Sequence, residues 1–389
     1  MRILIAPDKF KGALNARDVA ENIATGLRDV LPDAEIDIVP MADGGEGTAE
    51  AIYDARNGTW LQCKAHDPLG REIDTRYAWI ENEKLAVMEM SEAAGMRRLQ
   101  PDELNPEKAT TFGVGEMILD AAKREALEII IGLGGSATND GGFGMARALG
   151  FRFFAGRKEL TAGVSELTKL TGITLPEKVV AALVPSAQPK SRRLTQPPLQ
   201  PTLPKVIAAV DVKNPLLGTN GATRIFGPQK GASMETIAVL EKALTRLADV
   251  VSNEFGFDYR NEPSAGAAGG LGFGLMSFCG AKIRSGFDVV AEAVGLEAKM
   301  KDADVVITGE GSLDRQTLEG KTPAGVARLA RKAGKRVFAI VGRASSDREV
   351  REIFDAVYEN SRPGMSQEQN MKRAAELLRE NARELARKL

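Results

Sequence analysis

The eleven residues GLGGSATNDGG, 132–142, place five glycines beside Ser136, Thr138, Asn139 and Asp140. They follow EIIIG, a buried-strand pattern, so the segment sits at the carboxyl end of a strand, where open α/β sheets place ligands. Glycines there let backbone amides close on an oxyanion such as phosphate. A tight strand-to-helix turn is the plain alternative for a single segment of this kind, and the company it keeps decides against that.

The company is APDKFKG at 6–12, ADGGEGT at 42–48, VDVKNP at 210–215, FGPQKG at 226–231, GAAGGLG at 266–272 and GEGSLDRQT at 309–317. Six carboxylates stand at these turns: Asp8, Asp43, Glu46, Asp211, Glu310 and Asp314. Each alone reads as a cap or turn residue. Together they suit Mg²⁺ and a general base, because Mg²⁺ takes few carboxylates and completes its shell with water and phosphate oxygens. Lys11, Lys230 and Lys321 stand beside glycines in the same loops, as phosphoryl transfer requires of its cations.

Other chemistries fit worse. GSLDRQTLEGKT separates Gly311 from Gly320 by eight residues where a P-loop needs four. The lone histidine, His66, lies in a turn-rich region away from any nucleophile elbow, which argues against a Ser/His/Asp hydrolase and reads as an ordinary turn residue. GLGGSA is also similar to the GLGSSA phosphate loop of the galactokinase and homoserine kinase superfamily, but Asn139-Asp140-Gly141-Gly142 would weaken the long helix which that loop must open. Balanced charge, 52 Lys plus Arg against 53 Asp plus Glu, gives no basic surplus to recruit nucleic acid. Two distant cysteines, Cys63 and Cys279, indicate neither a disulfide framework nor zinc and suit a reducing cytosol. The start MRILIAPDKFKG lacks the zones of a signal peptide and no apolar run is long enough to span a bilayer, so the expectation is a soluble, cytoplasmic protein.

The elements that must position these loops follow from periodicity. RILIAP leads into ARDVAENIATGLRDVLP, whose Val19, Ile23, Leu27 and Val30 share a face, and EIDIVPM closes a βαβ unit. The carboxyl-terminal part repeats that grammar with DVVITGEG, TPAGVARLARKAG, RVFAIVG and DAVYEN, which predicts a parallel, helix-covered sheet. The stretch WLQCKAHDPLGREIDTRYAWIENEKLAVMEM reads instead as an antiparallel meander. The simplest arrangement is a Rossmann- or flavodoxin-like α/β domain assembled from 1–60 and 285–389, with a second mixed α/β domain, 61–284, inserted. The proline-rich stretch 185–204 reads as a solvated loop or arm, and 366–389 as a covering helix without chemistry.

Seven segments in order, APDKFKG, MADGGEGT, GLGGSATNDGG, FGPQKGA, GAAGGLG, GEGSLDRQT and GKTPAGVA, resemble the signature segments of the type I glycerate kinases from residue 3 to about 345. Lys9 and Ala13 stand where small hydroxyl residues are common in that family, and the proline-rich connection is longer than usual. The resemblance implies phosphorylation of D-glycerate by ATP with Mg²⁺, 2-phosphoglycerate as product, and two α/β domains with the active site in the cleft between them. The alternatives are a kinase of another small hydroxy acid and a non-catalytic binder of a phosphometabolite. The oligomeric state stays open, a homodimer being one option; neither nucleic acid nor membrane is expected as a partner.

Within that reading, the amides of 132–142, with Gly134, Gly135, Ser136 and Asn139, are expected to hold phosphate oxygens, aided by Lys230 and Lys321. Lys11 is the expected anchor of the substrate carboxylate. Any of Asp8, Asp43, Asp211 and Asp314 could act as base or hold metal. Short, rigid strand-end carboxylates favour Asp43 and Asp211 for Mg²⁺. Asp8, three residues from Lys11, is favoured as the base, with Asp314 next.

Overall fold

The computed structural model describes residues 1–176, 203–318 and 320–389. Of the proline-rich stretch, 185–202 lie outside the described residues. The chain divides into two compact units, Met1–Asn57 with Ser285–Leu389, and Gly58–Arg284.

The first unit is built on five strands in the order Ala356–Glu359, Arg336–Val341, Val305–Thr308, Arg2–Ile5, Glu35–Ile38, every neighbouring pair parallel. Counted along this unit the order is 2-1-3-4-5, a doubly wound sheet whose direction of travel reverses between Arg2–Ile5 and Val305–Thr308. Strands covered on both faces need apolar residues at consecutive positions, and RILI and VVIT supply them. Ile3, Ile5, Val305 and Ile307 face one layer, with Val19, Ile23, Leu27, Leu378 and Leu385. Leu4, Val306, Val337 and Ala339 face the other, with Phe287, Val290 and Val326. Burying each large aliphatic side chain stabilises the unit by roughly 1.5–3 kcal/mol.

The helix Ala16–Arg28 starts where the Asn15 side chain accepts from the Asp18 amide, and it buries the stripe Val19, Ala20, Ile23, Ala24, Leu27. Gly26 makes its close approach to the carboxyl-terminal helix feasible, since a Cβ there would lie 2.4 Å from the Arg379 carbonyl oxygen. The expected single covering helix over 366–389 is in fact two, Gln367–Lys372 and Ala374–Ala386. The first is opened by a capping box between Ser366 and Gln369.

The main sheet of the second unit has six strands in the order Lys282–Arg284, Lys205–Ala209, Glu128–Gly132, Leu85–Glu89, Glu72–Ile80, Thr59–His66. The first four run parallel and the last two join antiparallel, so the meander reaches the parallel sheet through Leu85–Glu89. His66 ends a strand rather than occupying a turn. A nest of edge-to-face rings, Phe151, Phe153, Phe255 and Phe278, fills part of its core.

GAAGGLG does not make a free ligand loop. It leads into the helix Ala267–Cys279 through a kink, with Ala268, Gly269 and Gly270 all at positive φ, and lies against the 132–142 segment. A Cβ on Gly269 would come within 1.9 Å of the Thr138 carbonyl oxygen, and one on Gly274 within 2.6 Å of that of Gly141. Two backbones therefore touch where side chains would separate them. No described helix is long and apolar enough to cross a membrane.

Candidate active site

In the first unit, the chain leaves Arg2–Ile5 through Pro7 into Asp8, and leaves Val305–Thr308 through Gly309 into Glu310. These are the two strands flanking the reversal, whose carboxyl ends are where an open sheet forms its ligand crevice. The Asp8 amide donates to the Gly309 carbonyl at 2.8 Å, which ties the two acid-bearing segments together.

Both acids are buried, Asp8 at 7% exposure and Glu310 at 9%. Asp8 accepts the Lys9 amide at Oδ1 (2.6 Å) and the Thr322 hydroxyl at Oδ2 (2.8 Å). Lys9 Nζ donates to the Glu46 carbonyl at 2.6 Å and lies 3.8 Å from Asp8 Oδ1 and 3.9 Å from Asp43 Oδ1. Burial pushes the Asp8 carboxyl up to about 6; the Lys9 ammonium opposes this and the Asp43 charge adds to it. Glu310 accepts the Thr317 hydroxyl at 2.6 Å. Burial lifts Glu310 to about 7, against the Thr317 hydrogen bond and Lys321, while Asp8 and Asp314 add to the rise. Two neighbouring carboxyls thus exchange protons close to neutral pH, as general bases must.

Around them, Asp314 Oδ1 accepts the Gln316 amide at 2.9 Å and lies 3.9 Å from Lys321 Nζ. Lys321 caps the helix Thr322–Lys332, with Pro323 in its first turn. Lys11 is exposed, and its ammonium has no hydrogen bond or ion pair among the described residues. Asp43 Oδ1 accepts the Gly45 amide at 3.2 Å.

In the second unit, the 132–142 segment is stitched to residues 94–96. The Met96 amide donates to the Gly135 carbonyl and the Ala137 amide to the Ala94 carbonyl, each at 2.9 Å. Its polar side chains face inward. Asn139 is fully buried and donates to the Thr223 hydroxyl at 2.9 Å. Asp140 collects the amides of Thr111, Gly142 and Gly144 and the Thr111 hydroxyl. Lys230, 1% exposed, donates to the Thr138 carbonyl at 2.6 Å; burial brings its ammonium down to about 7, with only Asp140 opposing. Ser136 is buried as well, so the open part of the segment is Gly134 and Gly135, the latter at φ +70°.

The expected residues therefore fall into two sets. Asp8, Lys11, Asp43, Asp314 and Lys321 belong to the first unit, while Gly134, Gly135, Ser136, Asn139, Lys230 and Asp211 belong to the second. Asp211, half-buried, follows the strand Lys205–Ala209, so the two expected metal ligands lie in different units. The sequence placed Glu310 among the six candidate carboxylates without singling it out, and gave Thr317, Thr322 and Lys9 no role in the site. Thr322 carried the one usable signal, a hydroxyl at the start of a helix after GK. Among the described residues no three His, Cys, Asp or Glu side chains converge as a metal cage. Asp43, 34% exposed, is a lone accessible carboxylate of the kind that would serve an ion drawing most of its shell from water and phosphate.

Residues 3–389 match the model of the glycerate kinase family. The chain is 38% identical to the glycerate kinase of Halalkalibacterium halodurans, covering 99% of this chain and 97% of that protein. It is 41% identical to the glycerate 2-kinase of Escherichia coli K12, covering 89% and 86% respectively. A crystallised chain from Salmonella typhimurium LT2 bearing the name glycerate kinase 2 superposes with a TM-score of 0.81 at 38% identity, over 100% of this chain and 98% of that one. The buried carboxyl pair at the sheet reversal and the glycine segment thus sit in a mixed α/β chain that belongs to the glycerate kinase family.

Proposed function

We propose that the protein transfers the terminal phosphoryl group of ATP to the 2-hydroxyl of D-glycerate, yielding 2-phosphoglycerate. The observation that carries this reading is the Asp8–Glu310 pair, two buried carboxyls raised to about 6 and about 7 within a kinase family. Asp8 takes the proton of the attacking hydroxyl, since a base whose value lies near the working pH combines availability with driving force. Thr322 and the Lys9 amide hold its two oxygens in place. Lys11, an exposed cation, receives the substrate carboxylate, and Lys321 with Asp314 borders the same acids. The amides of Gly134 and Gly135 hold phosphate oxygens, while Asn139 and Lys230 brace that segment from inside. Mg²⁺, held by Asp43 or Asp211, would neutralise phosphate charge. The two cysteines are free and buried, which agrees with a cytoplasmic setting.

Phosphorus NMR of the product tests this. Incubation with D-glycerate and MgATP should give 2-phosphoglycerate. The 3-phospho isomer alone would overturn the regiochemistry, and no phosphoglycerate at all would overturn the reaction.

A further inference from the structure

A cavity lies wholly within Gly58–Arg284. The strand Thr59–His66 ends at its wall, the helices Phe112–Lys123 and Phe143–Ala148 start beside it, and the loop 161–163 also lines it. It encloses about 320 Å³ and is lined by His66, Lys108, Thr110, Phe112, Arg147 and Thr161, among others. That is room for a small metabolite.

Arg147 is the anomaly. Its guanidinium lies 5.4 Å from the ring centre of Phe143 and 5.7 Å from that of Phe112, and burial disfavours its charged form. Arginine does not discharge by losing its proton, so a half-buried guanidinium with no acid partner is suited to receive an anion. The acids nearest to it are already taken. Glu159 is bound bidentately by Arg152, and Glu166 by Lys158 and the amides of Thr161 and Ala162. Asp140 is occupied by Thr111, Gly142 and Gly144. The Arg147 guanidinium has no hydrogen bond or ion pair among the described residues, and its position over two rings leaves its N–H groups unspent. Lys108 is exposed and likewise unpaired among the described residues. His66 is held by Glu116, which takes both its amide (2.7 Å) and Nδ1 (2.9 Å), so Nε2 is the ring nitrogen left over.

We propose that this cavity is a second anion site, which binds a small phosphate monoester with Arg147 as its bidentate anchor and Lys108 and His66 beside it. The two permanent cations match the two charges of a phosphate monoester, and Arg fits that geometry through its paired N–H groups. The proposal stands independently of the phosphotransfer reading.

The histidine makes the test local. His66 is the only histidine in the chain, so its imidazole proton resonance reports on this cavity alone. Titrating the full chain with glycerol 3-phosphate, without ATP, should shift that resonance saturably. Arg147→Gln should weaken the response at least tenfold and Lys108→Gln several-fold, with glycerate turnover in the absence of the probe unchanged. Gly135→Val should leave the response intact. The proposal is overturned if the resonance does not move, if it moves equally in Arg147→Gln, if Gly135→Val abolishes it, or if malonate shifts it and the phosphate ester does not. Should Arg147→Gln fail to fold, the Lys108→Gln titration decides alone.

Discussion

Two candidate regions, one in each unit, are made from different materials. Around Asp8 and Glu310 the working atoms belong to side chains, and burial tunes them: the carboxyls sit near neutral because desolvation outweighs Lys9, Thr317, Lys321 and Thr322. In 132–142 the side chains are buried, Asn139 donating to Thr223 and Asp140 collecting three amides, while Lys230 braces the segment from inside, so what the segment exposes is the backbone at Gly134 and Gly135. One region should therefore fail when a functional group is changed, and the other when a backbone path is displaced. That contrast also separates chemistry from stability, because a tuned carboxyl costs the fold something while a braced loop supports it.

The largest effect should come from Asp8→Asn. Removing a positioned base lowers kcat by roughly 10²–10⁴-fold. Stability should move the other way. The folded-state value of Asp8 lies above its ordinary 3.8, so its ionisation opposes folding. That penalty is absent at low pH, grows as pH rises from 3.8 through about 6, and is complete above it. The variant should thus melt at pH 8 no lower than wild type. Retained turnover, measured alongside the melt, would remove Asp8 from the chemistry.

Gly269→Ala probes the other region. Its new Cβ would meet the Thr138 carbonyl at 1.9 Å, so the loop or the helix must shift, at about 1–3 kcal/mol in denaturant titrations, with activity falling as well. Gly135→Ala sharpens the point. The nearest atom to its Cβ is Ser91 Cβ at 3.5 Å, which leaves only the left-handed backbone strain, about 1–2 kcal/mol. Activity should nevertheless drop, because the open amides move. If Gly269→Ala proves neutral in both measurements, the packing account of the loop is wrong.

Lys9→Met should have an intermediate effect, visible in pH dependence rather than in maximal rate. With Asp8 as the proposed base, activity should require its ionised form, and so should be present above about 6 and be lost as pH falls through that value. Lys9 holds the value down, and without it the acid limb of kcat/KM should move to higher pH, costing several-fold in activity near pH 6 and little at pH 8. An unmoved limb would mean that another group governs it. Thr322→Val should move the same limb the same way but less, since it removes one hydrogen bond to Asp8 Oδ2 and no charge. A larger shift for Thr322→Val than for Lys9→Met would reverse the order of causes.

Local pattern alone determined a good deal. The helix stripe from Val19 to Leu27, the uninterrupted apolar strands RILI and VVIT, and the glycine segment after EIIIG are all written within a few residues of one another, because periodicity and backbone freedom are local properties. Asp8 as a candidate was legible for the same reason. Its tuning was not, because Thr322 approaches from 314 positions along the chain. Burial of Glu310 likewise follows from which strands are neighbours, not from its own flanking residues. Asn139 and Lys230 carried the sequence signature of phosphate contacts, yet folding turned both inward, and the glycines of GAAGGLG became the surface on which the loop rests. Residue type announces which chemistry a group could perform. Whether it performs it, or holds the neighbour that does, depends on desolvation and close approach, and those are set only when distant segments pack.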